Sequence, residues 1–210
     1  YAASLALAKE LADRVGPDVL ARVWSDAATG TGAYQPSAPG TDAGGDVAPG
    51  GAPGGATPES VGGAPDWRAL LDLLEARSGQ DLTPLWREWV VRPDEAPSLD
   101  ARAAARASYG RTLALADGWQ LPRAIRDALR SWQFGTAESL MADARTVLAQ
   151  RKAVTEIAAR DGVTLSATLQ SLFESGSMTE ASAHAEAQRE AMLAIEDAAA
   201  SRSADDDILS

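Results

Sequence analysis

Residues 78–91, SGQDLTPLWREWVV, decide how the rest of the chain is read. Thr83 can cap a helix, and Pro84 suits the first helical position, where a missing N–H costs nothing. Leu85, Trp86, Trp89 and Val90 then fall at i, i+1, i+4 and i+5, one apolar face at helical period. Two of the chain's six tryptophans lie on that face. Indoles bury large areas, so Trp86 and Trp89 call for a body to dock against, supplied by the helices on either side.

On the N-terminal side, Asp66 is placed to cap a helix whose Trp67, Leu70, Leu71 and Leu74 follow an i, i+3, i+4, i+7 pattern ending at Ser78 and Gly79. At the start of the chain, Leu7, Leu11 and either Arg14 or Val15 make a helical stripe that Gly16 and Pro17 terminate. Asp18 opens the next helix, where Val19, Leu20, Val23 and Trp24 form the apolar face until Thr29 and Gly30. Two short antiparallel helices over residues 1–29 are expected. Residues 30–65 are dominated by Gly and Pro, with almost nothing large and apolar. Such composition cannot offset its own ordering entropy, so a flexible insertion is predicted. Its glycines lack the strand-to-helix frame and following Lys of a phosphate loop. A loop of this length costs little to close, so the helices flanking it, residues 1–29 and 66–92, can pack together.

Residues 92–97, with Pro93 and Pro97, read as a polar hinge and domain boundary. Beyond it, residues 98–204 are helical in pattern throughout. One helix runs from Ser98 toward Asp117, and Leu121, Ile125, Leu129 and Trp132 share the face of a second. A third spans residues 136–159 with Leu140, Ala144, Val147, Leu148, Val154 and Ile157, and Gly162 closes it. Thr164 is expected to cap a helix with Leu165, Leu169, Leu172 and Phe173, and Thr179 to begin a last one ending near Ser201. Short connections make successive helices antiparallel neighbours, so the fold class is all-α, an antiparallel bundle or short α-solenoid.

Composition narrows the function. The 210 residues carry a net charge of −11, which argues against nucleic acid and anionic membrane surfaces as partners. There is no cysteine, hence no disulfide or thiol chemistry. No apolar run approaches the length of a membrane-spanning helix. The chain begins within a helical pattern and stops abruptly, as a piece of a longer protein would.

The run DWRALLDLLEARSGQDLTPLWREWV, residues 66–90, resembles the end of the catalytic domain in gluzincin aminopeptidases of the membrane alanyl aminopeptidase and leukotriene hydrolase type. There a Gly-x-Asp-Leu pattern precedes a Trp that closes the thermolysin-like fold. The first residues resemble the same family, in which Tyr-x-Lys-Gly-Ala opens a helix ending in Leu and Gly at fixed distances. Tyr1, Leu11 and Gly16 keep that spacing, while Ala3, Ser4 and Leu5 stand where Lys, Gly and Ala would be. The resemblance implies the end of a thermolysin-like helical domain followed by an all-α domain walling the substrate cleft. It also implies zinc in the longer protein, the upstream catalytic region as partner, peptide as substrate, and a secreted or cell-surface location. Tyr1 would take the family tyrosine's role, donating its hydroxyl to the tetrahedral intermediate.

The chain itself holds no zinc motif. That site needs His-Glu-x-x-His and a further Glu, and His184 is the single histidine, on a stripe with Ala181, Ala185, Met192 and Ile195. A packed or half-exposed helix histidine is expected, with no cofactor and no metal ligand in this chain. Asp94 with Glu95, and Asp205 to Asp207, are expected to be solvated carboxylates. Arg102, Arg106, Arg111, Arg123, Arg126 and Arg130 are spread among acids and read as solvated helix faces and salt bridges. Trp67, Trp86, Trp89, Trp119 and Trp132 read as core anchors. Two functions follow: a non-catalytic helical part of a zinc aminopeptidase-like protein, or an all-α protein-interaction scaffold unrelated to peptidases.

Overall fold

The computed structural model describes residues 2–36, 58–63 and 65–209. Tyr1 and residues 37–57 of the Gly/Pro segment lie outside the described residues, as do the side chains of Asp205 to Asp207. Within them the protein is all-α. The helices are α1 (Ala2–Val15), α2 (Pro17–Thr29), α3 (Trp67–Ser78), α4 (Thr83–Trp89), α5 (Ala96–Ala116), α6 (Arg123–Arg130), α7 (Phe134–Asp161), α8 (Thr168–Ser175) and α9 (Met178–Leu209). A single antiparallel bridge, Thr31 to Ser60, is the β-type pairing among the described residues.

Local chemistry explains most boundaries. Gly16, at φ 81°, and Pro17 separate α1 from α2, a step that a residue with a Cβ would make only with strain. Asp66 caps α3, its Oδ1 accepting from the Arg68 and Ala69 amides at 3.0 and 2.9 Å. Left-handed glycines end α2, α3, α7 and α8 at Gly30, Gly79, Gly162 and Gly176.

Two apolar clusters form. Val15, Val23, Leu71, Leu73, Leu74, Leu82, Leu85, Trp86 and Leu99 make the first, from α1 to α4 and the start of α5. The second lies among α5 to α9, where α9 runs along α7 and α8, and α7 also receives α5 and α6. It is rich in alanine, with Ala105, Ala137, Ala144, Ala158, Ala181 and Ala185 among its buried members. Helix α5 serves both: Leu99 belongs to the first cluster and Ala105 to the second.

Several expectations are corrected. Trp89 is 44% exposed while Trp86 is buried. Helix α4 ends at Trp89, the Val90 and Val91 amides both bond to the Trp86 carbonyl, and it is Val90 and Val91 that pack against the core. Trp24 is 64% exposed, because Val19, Leu20 and Val23 already occupy the inner face of α2. Thr83 does not cap α4: Leu82 holds the cap position without a side-chain bond, and Asp81 before it closes a turn by accepting from the Thr83 amide. Helix α8 begins at Thr168, past Thr164, and α9 runs on beyond Ser201 to Leu209. Arg102 and Arg126 make the salt bridges expected of them, but they do so buried and not on solvated faces. The outer parts of the Gly/Pro segment, residues 30–36 and 58–63, are paired with each other and not free chain: Thr31 bridges Ser60, and the Val61 amide donates to the Gly30 carbonyl at 2.7 Å.

Candidate functional site

Helix α3 buries five consecutive residues, Leu71 to Glu75, so it is enclosed on nearly all sides. Two of the five are acids. Asp72 and Glu75 face α5, which presents Arg102 and Arg106 four residues apart on the stripe begun by Leu99. Arg102 is 1% exposed and bridges the acids: Nε donates to Asp72 Oδ1 at 2.7 Å and a terminal nitrogen to Glu75 Oε2 at 2.8 Å. Arg106 reaches Glu75 Oε2 at 3.0 Å from the solvent side. Glu75 spends its other oxygen on the Leu82 amide, 2.9 Å away, tying α3 to the entry of α4.

Asp72 collects two more donors from elsewhere. The Tyr34 hydroxyl donates to Oδ1 at 3.2 Å, and the Trp132 indole N–H to Oδ2 at 3.0 Å. Tyr34 and Trp132 both adopt left-handed backbones, φ 55° and 54°. For bulky residues that conformation costs about 1–3 kcal/mol each, and persists only where surroundings enforce it. Here both strained residues converge on one carboxylate.

A second ionic group holds Tyr34 in place. Arg130 on α6 donates from Nε to the Ala33 carbonyl at 2.7 Å and from a terminal nitrogen to the Tyr34 carbonyl at 2.9 Å. It also pairs with Glu59 at 2.8 Å and Asp127 at 2.9 Å. Arg126 donates to both oxygens of Glu59. Gln35 completes the clasp, accepting from the Glu59 amide at 2.7 Å and donating to its carbonyl at 3.0 Å.

Burial raises the Asp72 carboxyl above the ordinary value, with Arg102 and the Trp132 N–H opposing it. Burial, reinforced by the Asp72 charge, pushes the Tyr34 phenol well above its normal range, so it stays protonated and donating. Burial would also raise Glu59, but the hydrogen bonds from Arg126 and Arg130 outweigh it and hold that carboxyl below 4.5.

Beside this network opens a cleft of about 500 Å³. Its walls are the main chain of residues 30–33 and 60–63, the start of α3 at Asp66 and Ala69, and Arg123, Asp127 and Arg130 of α6. Asp72 and Arg130 reach it with their polar atoms already engaged. At its edge Arg123 pairs with Asp127 at 3.2 Å, both well exposed. Such a wall suits binding: main-chain groups and an exposed charge pair around a rigid floor, with each buried acid locked to a cation.

His184 sits on α9 between buried Ala181 and Ala185, half-buried itself, with Nε2 buried and without a hydrogen-bond partner. Among the described residues no group of three or more His, Asp and Glu could hold a metal ion. The zinc that the gluzincin resemblance implies thus finds no ligand set in them, and no chemical step is derived through it. Asp94 is exposed and Glu95 pairs with Arg92 at 3.2 Å in the turn before α5. The site residues that sequence reasoning passed over are Asp72, Glu75, Tyr34 and Glu59; their arginines were named, but without these partners. One signal existed: Asp72 and Glu75 interrupt the run LLDLLE, where helical period leaves no solvent face for them.

Compared with known protein families, curated proteins and solved structures, the chain gives no match. No helix among the described residues is long and apolar enough to cross a membrane.

Proposed function

We propose that this chain is the C-terminal helical part of a zinc aminopeptidase-like protein, non-catalytic on its own, and that it walls the substrate cleft beside an upstream catalytic region. The supporting observation is that the two stretches carrying the resemblance, α1 and residues 66–90, share one apolar cluster. A wall must keep its shape while substrate comes and goes, and the Arg102–Asp72–Glu75 network and the Glu59 clasp are suited to that rigidity. The cleft at their border would take peptide as its occupant. In this reading zinc is held upstream, and the all-α fold is the end of a thermolysin-like domain continued by an antiparallel helical bundle or short α-solenoid. Tyr1 would supply its hydroxyl to the tetrahedral intermediate.

The test is direct. The gene upstream of the Tyr1 codon should encode His-Glu-x-x-His with a further Glu beyond it, and the protein so extended should release amino acids from aminoacyl arylamides. The isolated chain should do neither that nor retain zinc through dialysis. An upstream region without the zinc motif removes the enzyme reading.

The second reading, an all-α interaction scaffold, is favoured by one feature. Leu5 on α1 and Trp24 on α2 are 72% and 64% exposed on the same hairpin. Single exposed apolar residues are ordinary, but a large indole left uncovered suits a contact surface. Leu5→Ser with Trp24→Ser separates the two readings: a scaffold loses its partner, and a peptidase wall keeps its parent's turnover.

A further inference from the structure

Arg68 stands in the first turn of α3, in the corner between two indoles. Its guanidinium carbon lies 5.2 Å from the Trp67 ring centre and 5.5 Å from that of Trp132. The two rings meet edge to face, 5.2 Å apart at 80°, and Phe134 leans on Trp132 at 5.4 Å. Trp132 is itself fixed through its indole N–H on Asp72 and by its left-handed backbone. Arg102, Arg106, Arg126 and Arg130 nearby each hold a carboxylate. Arg68 holds none among the described residues, and its Nε is buried without an acceptor.

A buried N–H without an acceptor costs about 1–3 kcal/mol. Stacking uses the faces of a guanidinium and leaves its edge for a planar acceptor; with Nε closed off from solvent that edge is the pair of terminal nitrogens, and a stacked fork has already lost the freedom that binding would remove. The three half-buried aromatics beside it offer apolar contact at the same place. The net charge of −11 repels polyanions at long range, so nucleic acid and anionic bilayers are poor occupants. A single carboxylate, read at short range by a bidentate pair, escapes that penalty.

We propose that Arg68, held against Trp67 and Trp132, is the anion-reading centre of a docking surface for an acidic peptide segment carrying an apolar side chain next to its carboxylate. This does not depend on the peptidase reading. The surface takes the carboxylate on the Arg68 fork and the apolar side chain against Trp132 and Phe134.

The test uses the full ¹⁵N-labelled chain, titrated with the capped dipeptide Ac-Phe-Glu-NH₂ while the indole N–H signals are followed. Saturable shifts at Trp67 and Trp132, with none at Trp119 in the other cluster, are expected. Ac-Phe-Gln-NH₂ should bind about tenfold more weakly, as should the glutamate peptide to Arg68→Lys, which keeps charge but loses the fork. Arg68→Gln should abolish the shifts. Asp42→Asn with Asp46→Asn should bind as the parent chain does. Equal binding of the two peptides, full affinity in Arg68→Lys, or shifts spread to Trp119 would overturn the proposal. So would tighter binding after the two Asp changes, since the chain's own carboxylates would then be the occupant, or stronger saturation by inorganic phosphate.

Discussion

The seam between α3, α5 and α6 and the interface between α7 and α9 solve the same packing problem with opposite materials. At the seam, helices meet through Asp72, Glu75 and Arg102, three charges taken out of water together. Helices α7 and α9 bury small side chains in their shared cluster, Ala144 and Ala158 on one and Ala181 and Ala185 on the other, and keep their polar pairs, such as Gln150 with Ser182, outside it. Small residues tolerate many near-equivalent packings. Buried charges tolerate one, because each displaced partner leaves a desolvated ion. We infer that the seam sets geometry beside the cleft more than it adds stability, in keeping with buried ion pairs elsewhere, which often replace well-packed apolar groups at no gain.

Breaking the seam should therefore be the costliest change. Arg102→Ala strands two buried carboxylates and is expected to lose about 3–5 kcal/mol in denaturant unfolding. Arg102→Met combined with Asp72→Asn and Glu75→Gln should recover much of that. A combined variant no better than Arg102→Ala would show that the seam's worth lies in its charges.

Glu59→Gln should come next, at about 2 kcal/mol near neutral pH, since Arg126 and Arg130 lose their shared carboxylate. The folded Glu59 carboxyl lies below its unfolded value of about 4.5. Its contribution is therefore complete above that pH and lost as pH falls through the folded value. The gap between the melting temperatures of wild type and Glu59→Gln should narrow as pH falls below about 4.5 and close once the folded carboxyl is protonated. A gap constant into that acid range would remove Glu59 from the linkage.

On the alanine side, Ala144→Leu should cost about 1–3 kcal/mol by overpacking α7 against its neighbours. The cleft should keep its shape, and peptide binding there should be unchanged; a binding change as large as that of Arg102→Ala would dissolve the contrast between the two regions. Asp66→Ala, which removes the α3 cap, should cost about 1 kcal/mol by thermal melt.

The smallest effect is expected at Trp89. Trp89→Ala should stay within about 0.5 kcal/mol of wild type, against about 3–5 kcal/mol for Trp86→Ala. Equal losses would put Trp89 back into the core.

The all-α class was legible because apolar period, Gly stops and Asp66 are local signals. Leu71, Leu74, Leu85 and Trp86 were named for the core from spacing alone, and all four are buried. Spacing misplaced Trp24 and Trp89, since a helix's period says which residues share a face but not how far a neighbour covers it.

What the sequence by itself determined is helical content, the caps and breaks that end most helices, and an apolar core too large to be left unpaired. What only the tertiary structure decided is which charges go inside. Arg102 and Arg111 look alike in sequence, each a basic residue on an alanine-rich helix, yet one is sealed between two carboxylates and the other is exposed. Nor does any local pattern announce that Tyr34, Trp132 and Asp72, from three distant segments, meet at 3.2 and 3.0 Å. A lone charge in a helix prefers water, and only a partner brought by the fold from another segment makes its burial tolerable.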